Sequence, residues 1–131
     1  MSVVAYLVIA IVAAWLAYLG YVVHASRAMV GRRVEGLGKS LPGLDAPGEC
    51  GLVYFYSEGC PPCREMTPMI DRLAKDHPLV FKIDVGADPD TARRFGVRAT
   101  PTTLIVRDGL VTRSILGARR RELFERLLST R

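Results

Sequence analysis

The sequence predicts an α/β domain, built as a central mixed sheet with helices on both faces, behind one membrane-spanning helix. Three observations support this. All 18 Lys and Arg and all 13 Asp and Glu residues lie beyond His24, so the first residues form a separate apolar segment. Strand and helix periodicities then alternate over residues 52–131. A chain of 131 residues, half of them hydrophobic, has room for one ordinary domain with an extension and is too apolar to be disordered.

The apolar segment Val3–Val23 is long enough to cross a bilayer. Its 21 residues form a helix of about 31 Å at ~1.5 Å per residue, which matches the hydrocarbon core. The alternative is a cleaved secretory signal, because Val23-His24-Ala25 loosely resembles a cleavage site. Signal sequences have a shorter apolar region behind a basic start, and here only Met1 and Ser2 precede the run. We therefore expect residues 1–24 to be a retained, single-pass anchor in the lipid bilayer.

Basic residues follow the anchor and none precedes it. Arg27, Arg32, Arg33 and Lys39 lie within the window where the positive-inside bias acts. This bias favours a cytoplasmic C-terminal part, with a periplasmic or otherwise extracytoplasmic placement as the alternative. The other basic residues are dispersed, without interleaved aromatic residues or a nucleic-acid motif, so no nucleic-acid partner is expected.

A basic juxtamembrane segment and a linker are predicted over residues 25–51. Five Gly and two Pro lie within the 16 residues Gly36–Gly51, a density that interrupts helix and strand periodicity. The compact domain is therefore expected over residues 52–131.

The first half of this domain reads as strand, helix, strand. Leu52–Tyr56 is a short aromatic and β-branched run, typical of a buried strand. Arg64–Lys75 carries apolar residues three or four apart, which predicts a helical face. Leu79–Val85 is a second apolar run of strand length.

The second half adds a helix, two strands and a closing helix. Asp88–Phe95 predicts a short helix that the following glycine ends. Thr102–Arg107 and Val111–Leu116 flank Asp108-Gly109, the strongest short-range signal for a hairpin. Arg119–Leu128 places its large apolar residues on one side, as a packed helix does. The order β, α, β, α, β, β, α predicts a mixed sheet with helices on both faces.

The candidate chemistry lies in Gly59-Cys60-Pro61-Pro62-Cys63, between the first strand and the first helix of the domain. Two cysteines separated by two residues can close a small disulfide ring. At a helix start the positive end of the dipole favours a thiolate, so Cys60 is the expected nucleophile. The two prolines suit the first helical turn and stiffen the ring. Cys63, one turn further, is expected to be shielded and to resolve a mixed disulfide.

The run from Leu52 to Leu128 resembles thioredoxin. The resemblance rests on the strand, the Cys-x-x-Cys pair, Pro68 five residues later, Ile83-Asp84, Phe95-Gly96-Val97-Arg98, Pro101 and the Asp-Gly hairpin. It implies a thiol-disulfide oxidoreductase of the thioredoxin-like fold, with Cys60 and Cys63 catalytic, protein dithiols or disulfides as substrates, and no metal or other cofactor. The electron donor would be a protein such as a thioredoxin reductase or a membrane thiol transporter.

The resemblance also implies a peptide-binding element at Thr100-Pro101. In this family the matching proline is cis and faces the cysteine pair, and the preceding residue offers its backbone to an extended substrate. Proline is suited to this position because only X-Pro bonds reach cis at low cost.

The departures from the family are local. The first strand and helix of a full thioredoxin are not recognisable, so four strands are expected. Gly59 replaces the usual Trp, and Tyr54 replaces a buried aspartate that shuttles the proton of the second cysteine. Val80 lies roughly where the lysine partner of that aspartate would be. A phenol with a pKa near 10 is a poor base at pH 7, which leaves water or the leaving thiolate to accept the proton.

Cys50 is expected to be an incidental thiol in a flexible linker at the far end of the sheet, with intermolecular pairing as the alternative. A metal carrier, or a module that mainly recruits a partner, is the rival class of function. A closed zinc site needs four ligands, and beyond Cys60 and Cys63 the chain offers only Cys50, His24 and His77, none at a paired spacing.

Overall fold

The computed structural model describes residues 2–33 and 41–130, with eight helices and strands in this part of the chain. Residues 34–40 of the predicted linker, Lys39 among them, and the last residue of the predicted domain lie outside the described residues. The elements follow in the order α1 (Val3–Arg27), β1 (Cys50–Tyr56), α2 (Pro61–Asp76), β2 (Val80–Asp84), α3 (Pro89–Arg94), β3 (Thr102–Arg107), β4 (Leu110–Leu116) and α4 (Arg121–Ser129).

The sheet has four strands in the order β2-β1-β3-β4. Strand β1 runs parallel to β2 and antiparallel to β3, and β3 pairs antiparallel with β4. The predicted mixed four-stranded sheet is therefore confirmed. The hairpin is also confirmed, because Asp108 and Gly109 both have positive φ, 53° and 74°, as a tight two-residue turn requires.

Helices cover both faces of the sheet, as predicted. The central strand β1 is buried on both sides, which explains its nearly continuous apolar run. Helices α2 and α4 cover one face, whose core residues are Leu52, Tyr54, Met66, Ile70, Leu73, Val80, Ile105 and Phe124. The segments around α3 and after α1 cover the other face, whose core residues include Met29, Leu41, Leu44, Val53, Phe55, Ile83, Phe95, Leu104 and Val106.

Strand β1 begins at Cys50, two residues before the predicted start. Gly51 permits a close approach there, because a Cβ on this residue would collide with the Leu44 side chain and lie 2.7 Å from the Leu79 carbonyl oxygen. The Leu52 N–H donates to the same carbonyl oxygen at 2.8 Å. The chain before β1 is therefore packed against the sheet.

Helix α1 is apolar, and most of its large apolar side chains are exposed. Val3–Ala25 is long and apolar enough to span a membrane, with a mean hydropathy of 2.3 over an 18-residue window, none of it buried in the protein. The chain that follows α1 docks on β4. The Gly31 N–H donates to the Val111 carbonyl at 2.7 Å, and the Val111 N–H donates to the Arg32 carbonyl at 3.0 Å. Two hydrogen bonds and the buried Met29 thus attach the end of α1 to the domain.

Candidate active site

The cysteine pair lies where β1 leads into α2. Cys60 is the N-cap residue of α2, and its sulfur accepts a hydrogen bond from the Cys63 N–H at 3.3 Å. Pro61 and Pro62 occupy the first helical positions, where a backbone N–H would have no intrahelical acceptor. The two sulfurs form a disulfide with the Cα atoms 5.2 Å apart. The site is therefore a small ring closed across the first turn of a helix.

The two cysteine residues differ in exposure. Cys60 is 9% exposed and Cys63 is 1% exposed. Beside them, a Cβ built on Gly59 would meet no atom within 4 Å, so the space where the family has a tryptophan is open. An incoming chain therefore approaches Cys60 first and meets Cys63 only behind it.

Thr100-Pro101 is held next to the cysteine loop. The hydroxyl oxygens of Ser57 and Thr100 are 3.2 Å apart, and the Cys60 N–H donates to the Ser57 carbonyl at 3.3 Å. The Thr100-Pro101 peptide bond is cis, as the resemblance implies. On the other side, the Gly117 N–H donates to the Pro101 carbonyl at 2.8 Å. The fold thus brings the two predicted parts of the site together, although they are about 40 residues apart in sequence.

Tyr54 lies beneath the pair and is fully buried. Its hydroxyl donates to the Cys63 carbonyl at 3.2 Å and lies 3.0 Å from the hydroxyl oxygen of Thr67. Thr67 itself donates to the same Cys63 carbonyl at 2.7 Å. Burial raises the pKa of Tyr54 above its usual value, and the hydrogen bond with Thr67 only partly opposes this. Tyr54 is therefore neutral at physiological pH and contacts the cysteine turn through its backbone.

The lysine opposite Tyr54 is Lys82, which the sequence analysis did not single out. In the parallel register Lys82 lies opposite Tyr54, whereas Val80 pairs with Leu52, two positions away. The Lys82 ammonium forms an ion pair with Asp71 at 2.6 Å, and this hydrogen bond raises the pKa of Lys82. The lysine opposite Tyr54 thus has its charge partnered by a carboxylate on α2.

The same ammonium lies 5.9 Å from the centre of the Tyr56 ring, which stacks on the Tyr54 ring with centroids 5.6 Å apart. The Tyr56 ring and the Lys82–Asp71 ion pair therefore lie beside the buried Tyr54.

Cys50 was expected in a flexible linker, and this was wrong. It is the first residue of β1, half-buried, with its sulfur 3.9 Å from the Leu127 carbonyl oxygen. Burial raises the pKa of the Cys50 thiol, and the nearby Arg107 charge opposes this in part. Because β1 runs from Cys50 to the active loop, the thiol lies at the opposite end of the strand from Cys60.

Three contributing residues were not singled out from the sequence. Thr67 follows Cys63 by four positions, so helical spacing alone would place the two on one face. Lys82 is found opposite Tyr54 only when the register of β2 against β1 is known. Ser57 carries no comparable signal, because its partner Thr100 comes from a distant loop.

The sequence comparisons agree with this geometry. The thioredoxin family model matches residues 44–130. A chloroplastic thioredoxin M4 of Arabidopsis thaliana is 41% identical over 80 residues, which cover 59% of this chain and 42% of that protein. A thioredoxin of Chlamydia muridarum is 35% identical over 80 residues, which cover 60% of this chain and 78% of that protein. The chain thus spans less than half of the plant protein and most of the chlamydial one.

Solved structures show the same fold. Fasciola hepatica thioredoxin superposes with a TM-score of 0.59 and 30% identity, covering 70% of this chain and 88% of that one. A point-mutant thioredoxin from Halobacterium salinarum gives a TM-score of 0.59 and 26% identity, covering 76% of this chain and 84% of that one. The family match, these relatives and the close Cys60–Cys63 pair all indicate the same family. The chain therefore belongs to the thioredoxin family of thiol-disulfide oxidoreductases.

Proposed function

We propose that this chain is a membrane-tethered oxidoreductase that reduces or exchanges disulfides of partner proteins through Cys60 and Cys63. One observation carries the proposal: a disulfide closes across the first turn of a helix, and its first cysteine is more exposed than its second. The first sulfur accepts a hydrogen bond from the Cys63 N–H and lies at the positive end of the helix dipole, and both favour its thiolate once the pair is reduced. Thr100 and Pro101, docked beside the loop, are the proposed contacts for an extended substrate segment.

The proposed reaction transfers two electrons. The Cys60 thiolate attacks one sulfur of a substrate disulfide, so a mixed disulfide forms and the first substrate thiolate leaves. The Cys63 thiolate then attacks the Cys60 sulfur, breaks the mixed disulfide and releases the second substrate thiolate. The substrate gains two electrons and two protons, and the protein ends as the Cys60–Cys63 disulfide that the structure holds.

The proton of Cys63 needs an acceptor other than Tyr54. The buried phenol has a raised pKa, and the Asp71 carboxylate lies on α2 in an ion pair with Lys82. We propose that the departing substrate thiolate or water accepts this proton. A free thiol has a pKa near 8.5, so a leaving thiolate is a competent base at neutral pH.

The proposed organisation is an anchor at residues 1–24, a connecting segment at 25–51 and a catalytic domain at 52–131. The apolar, exposed α1 supports the anchor, and the buried Met29, Leu41 and Leu44 indicate that the connecting segment packs against the domain. The exposed Arg32 and Arg33 after the helix favour the cytoplasmic side, where a thioredoxin reductase would supply electrons. An extracytoplasmic domain would instead need electrons from a membrane thiol transporter.

The test of the activity uses the full chain in neutral detergent. Dithiothreitol-driven reduction of insulin should proceed with the wild-type chain and stop with Cys60→Ser, while Cys50→Ser is the matched control at the far end of β1. Equal turnover by Cys60→Ser and wild type would contradict the proposal.

The membrane tether, and the side of the membrane that the domain faces, are tested in intact cells. The chain should remain with membranes after carbonate extraction, and a membrane-impermeant maleimide added after mild reduction should not label Cys60 until the cells are lysed. Release by carbonate would overturn the anchor. Labelling without lysis would overturn the cytoplasmic placement.

A further inference from the structure

A groove of about 420 Å³ runs along the outer side of β4, between the end of α1 and the start of α4. We call it the β4 groove. Guanidinium side chains of Arg27, Arg113 and Arg119 line it together with Val23 and Leu116. Its volume lies within the ~300–1,000 Å³ typical of sites for small ligands. The active-site residues line none of it, so it is a separate feature of the surface.

The three arginines of the β4 groove carry unneutralised charge. Within residues 2–33 and 41–130, none of the three has a carboxylate within 4 Å, and the groove lining contains no Asp or Glu. The neighbouring Arg121 shows the contrast, since it pairs with Asp76 at 2.8 Å and with Glu125 at 2.6 Å. The Arg119 guanidinium donates to the Ala118 carbonyl at 2.8 Å, which leaves its charge without a carboxylate partner. Like charges that line one groove repel one another, and an anion bound there would lower their energy.

The position of the groove along α1 indicates which kind of anion would bind there. Val23 belongs to the candidate span Val3–Ala25, whereas Arg27 lies one turn beyond Val23. The groove therefore begins where the apolar helix leaves the hydrocarbon and continues into the headgroup layer. On the same helix end, the Arg98 guanidinium lies 5.5 Å from the centre of the Tyr21 ring, an arrangement suited to the membrane interface.

We propose that the β4 groove binds the phosphate of an anionic lipid headgroup, with Arg27, Arg113 and Arg119 as the cations that contact it. The apolar lining from Val23, Leu116 and Leu123 would accept the first carbons of the lipid chains. This inference rests on the proposed membrane tether. Its consequence is an orientation: the lipid would hold the β4 edge of the domain against the bilayer surface, in addition to the hydrogen bonds after α1.

The experiment measures lipid retention by native mass spectrometry of the full chain in neutral detergent. Phosphatidylglycerol and phosphatidylcholine are added separately. We expect one phosphatidylglycerol molecule per chain and little retained phosphatidylcholine. Arg27→Gln/Arg113→Gln should bind phosphatidylglycerol about thirtyfold more weakly, since each basic residue near an anionic headgroup contributes roughly a factor of five. The control Arg72→Gln/Arg94→Gln removes two exposed arginines elsewhere and should bind as wild type does.

Competition with inorganic phosphate tests whether the groove binds a free anion instead of a lipid headgroup. Excess inorganic phosphate should leave phosphatidylglycerol bound; displacement, or equal retention of both lipids, would overturn the lipid assignment. Unchanged binding by Arg27→Gln/Arg113→Gln would overturn the site. Insulin reduction by each variant reports that it is folded. Carbonate extraction and insulin reduction of the wild type test the proposed function separately, because lipid retention in detergent depends on neither.

Discussion

Replacing Tyr54 with phenylalanine tests the most specific departure of this site from its family. The change removes one hydroxyl and keeps the ring that stacks on Tyr56. Burial raises the pKa of the phenol, so it is neutral at physiological pH and cannot accept the proton of Cys63. We therefore expect Tyr54→Phe to retain wild-type turnover, with the same pH profile of insulin reduction.

The structure also sets the expected cost in stability. The lost hydroxyl donates to the Cys63 carbonyl, which keeps its shorter hydrogen bond from Thr67 at 2.7 Å. Because no buried acceptor loses all its partners, the loss should be that of one neutral hydrogen bond, about 0.5–1.5 kcal/mol. For a domain of this size each kcal/mol lowers the Tm by roughly 4–8 °C.

The pH dependence of stability has a defined sign. The folded-state pKa of Tyr54 lies above the unfolded value near 10, so the unfolded chain releases this proton first as the pH rises. The wild type should therefore lose stability above about pH 10, and Tyr54→Phe should lack this component.

The matched control is Tyr56→Phe on the same strand. Tyr56 is half-buried, and within the described residues its hydroxyl makes no hydrogen bond. Circular dichroism melts and insulin assays of both variants separate the two effects. Removing a true general base lowers the rate about 10²–10⁴-fold, so a loss of that size in Tyr54→Phe alone would refute our reasoning.

Three further predictions concern other residues. Cys63→Ser should accumulate mixed disulfides with substrates on non-reducing gels, and full turnover by this variant would contradict the two-cysteine mechanism. Cys50→Ser should leave the reduction potential against glutathione unchanged, because its sulfur lies far from Cys60 along β1; a shifted potential would show that Cys50 takes part in exchange. Asp88→Ala should lower the Tm at pH 7, because Asp88 caps α3 through two hydrogen bonds from Thr91 that also hold the pKa of this carboxyl below its usual value. That stabilisation exists above the unfolded pKa of about 3.9 and disappears as the pH falls through the lower folded-state pKa. The Tm difference between wild type and Asp88→Ala should therefore shrink near pH 2. A Tm difference that stays constant with pH would argue against this role of Asp88.

The order of the elements was predictable because it depends on neighbours in sequence. Apolar runs, apolar spacing and turn residues together identified all four helices and all four strands, and their ends differ from the predictions by a few residues. Asp108-Gly109 predicted the hairpin because few residues adopt the two positive φ angles that this turn needs. The cysteine pair was equally accessible, since both sulfurs belong to one helical turn.

Other features depended on how distant segments pair. The sequence analysis did not single out Lys82, because its place opposite Tyr54 is set by the parallel register of β2 on β1. Composition suggested a flexible segment before β1, yet Cys50 and Gly51 are strand residues, because Gly51 allows Leu44 and Leu79 to pack closely. The local content of glycine and proline carries no information about which part of the fold these residues contact.

The sequence by itself therefore determined the apolar helix, the α/β order and the Cys60–Cys63 pair, since each is encoded within a few consecutive residues. Only the tertiary structure decided what surrounds them. It placed Tyr54 under Cys63, Ser57 against Thr100, and the end of α1 along β4. The physical reason is that these contacts join segments far apart in sequence, and their geometry follows from strand register and the packing of both sheet faces, which no local pattern specifies.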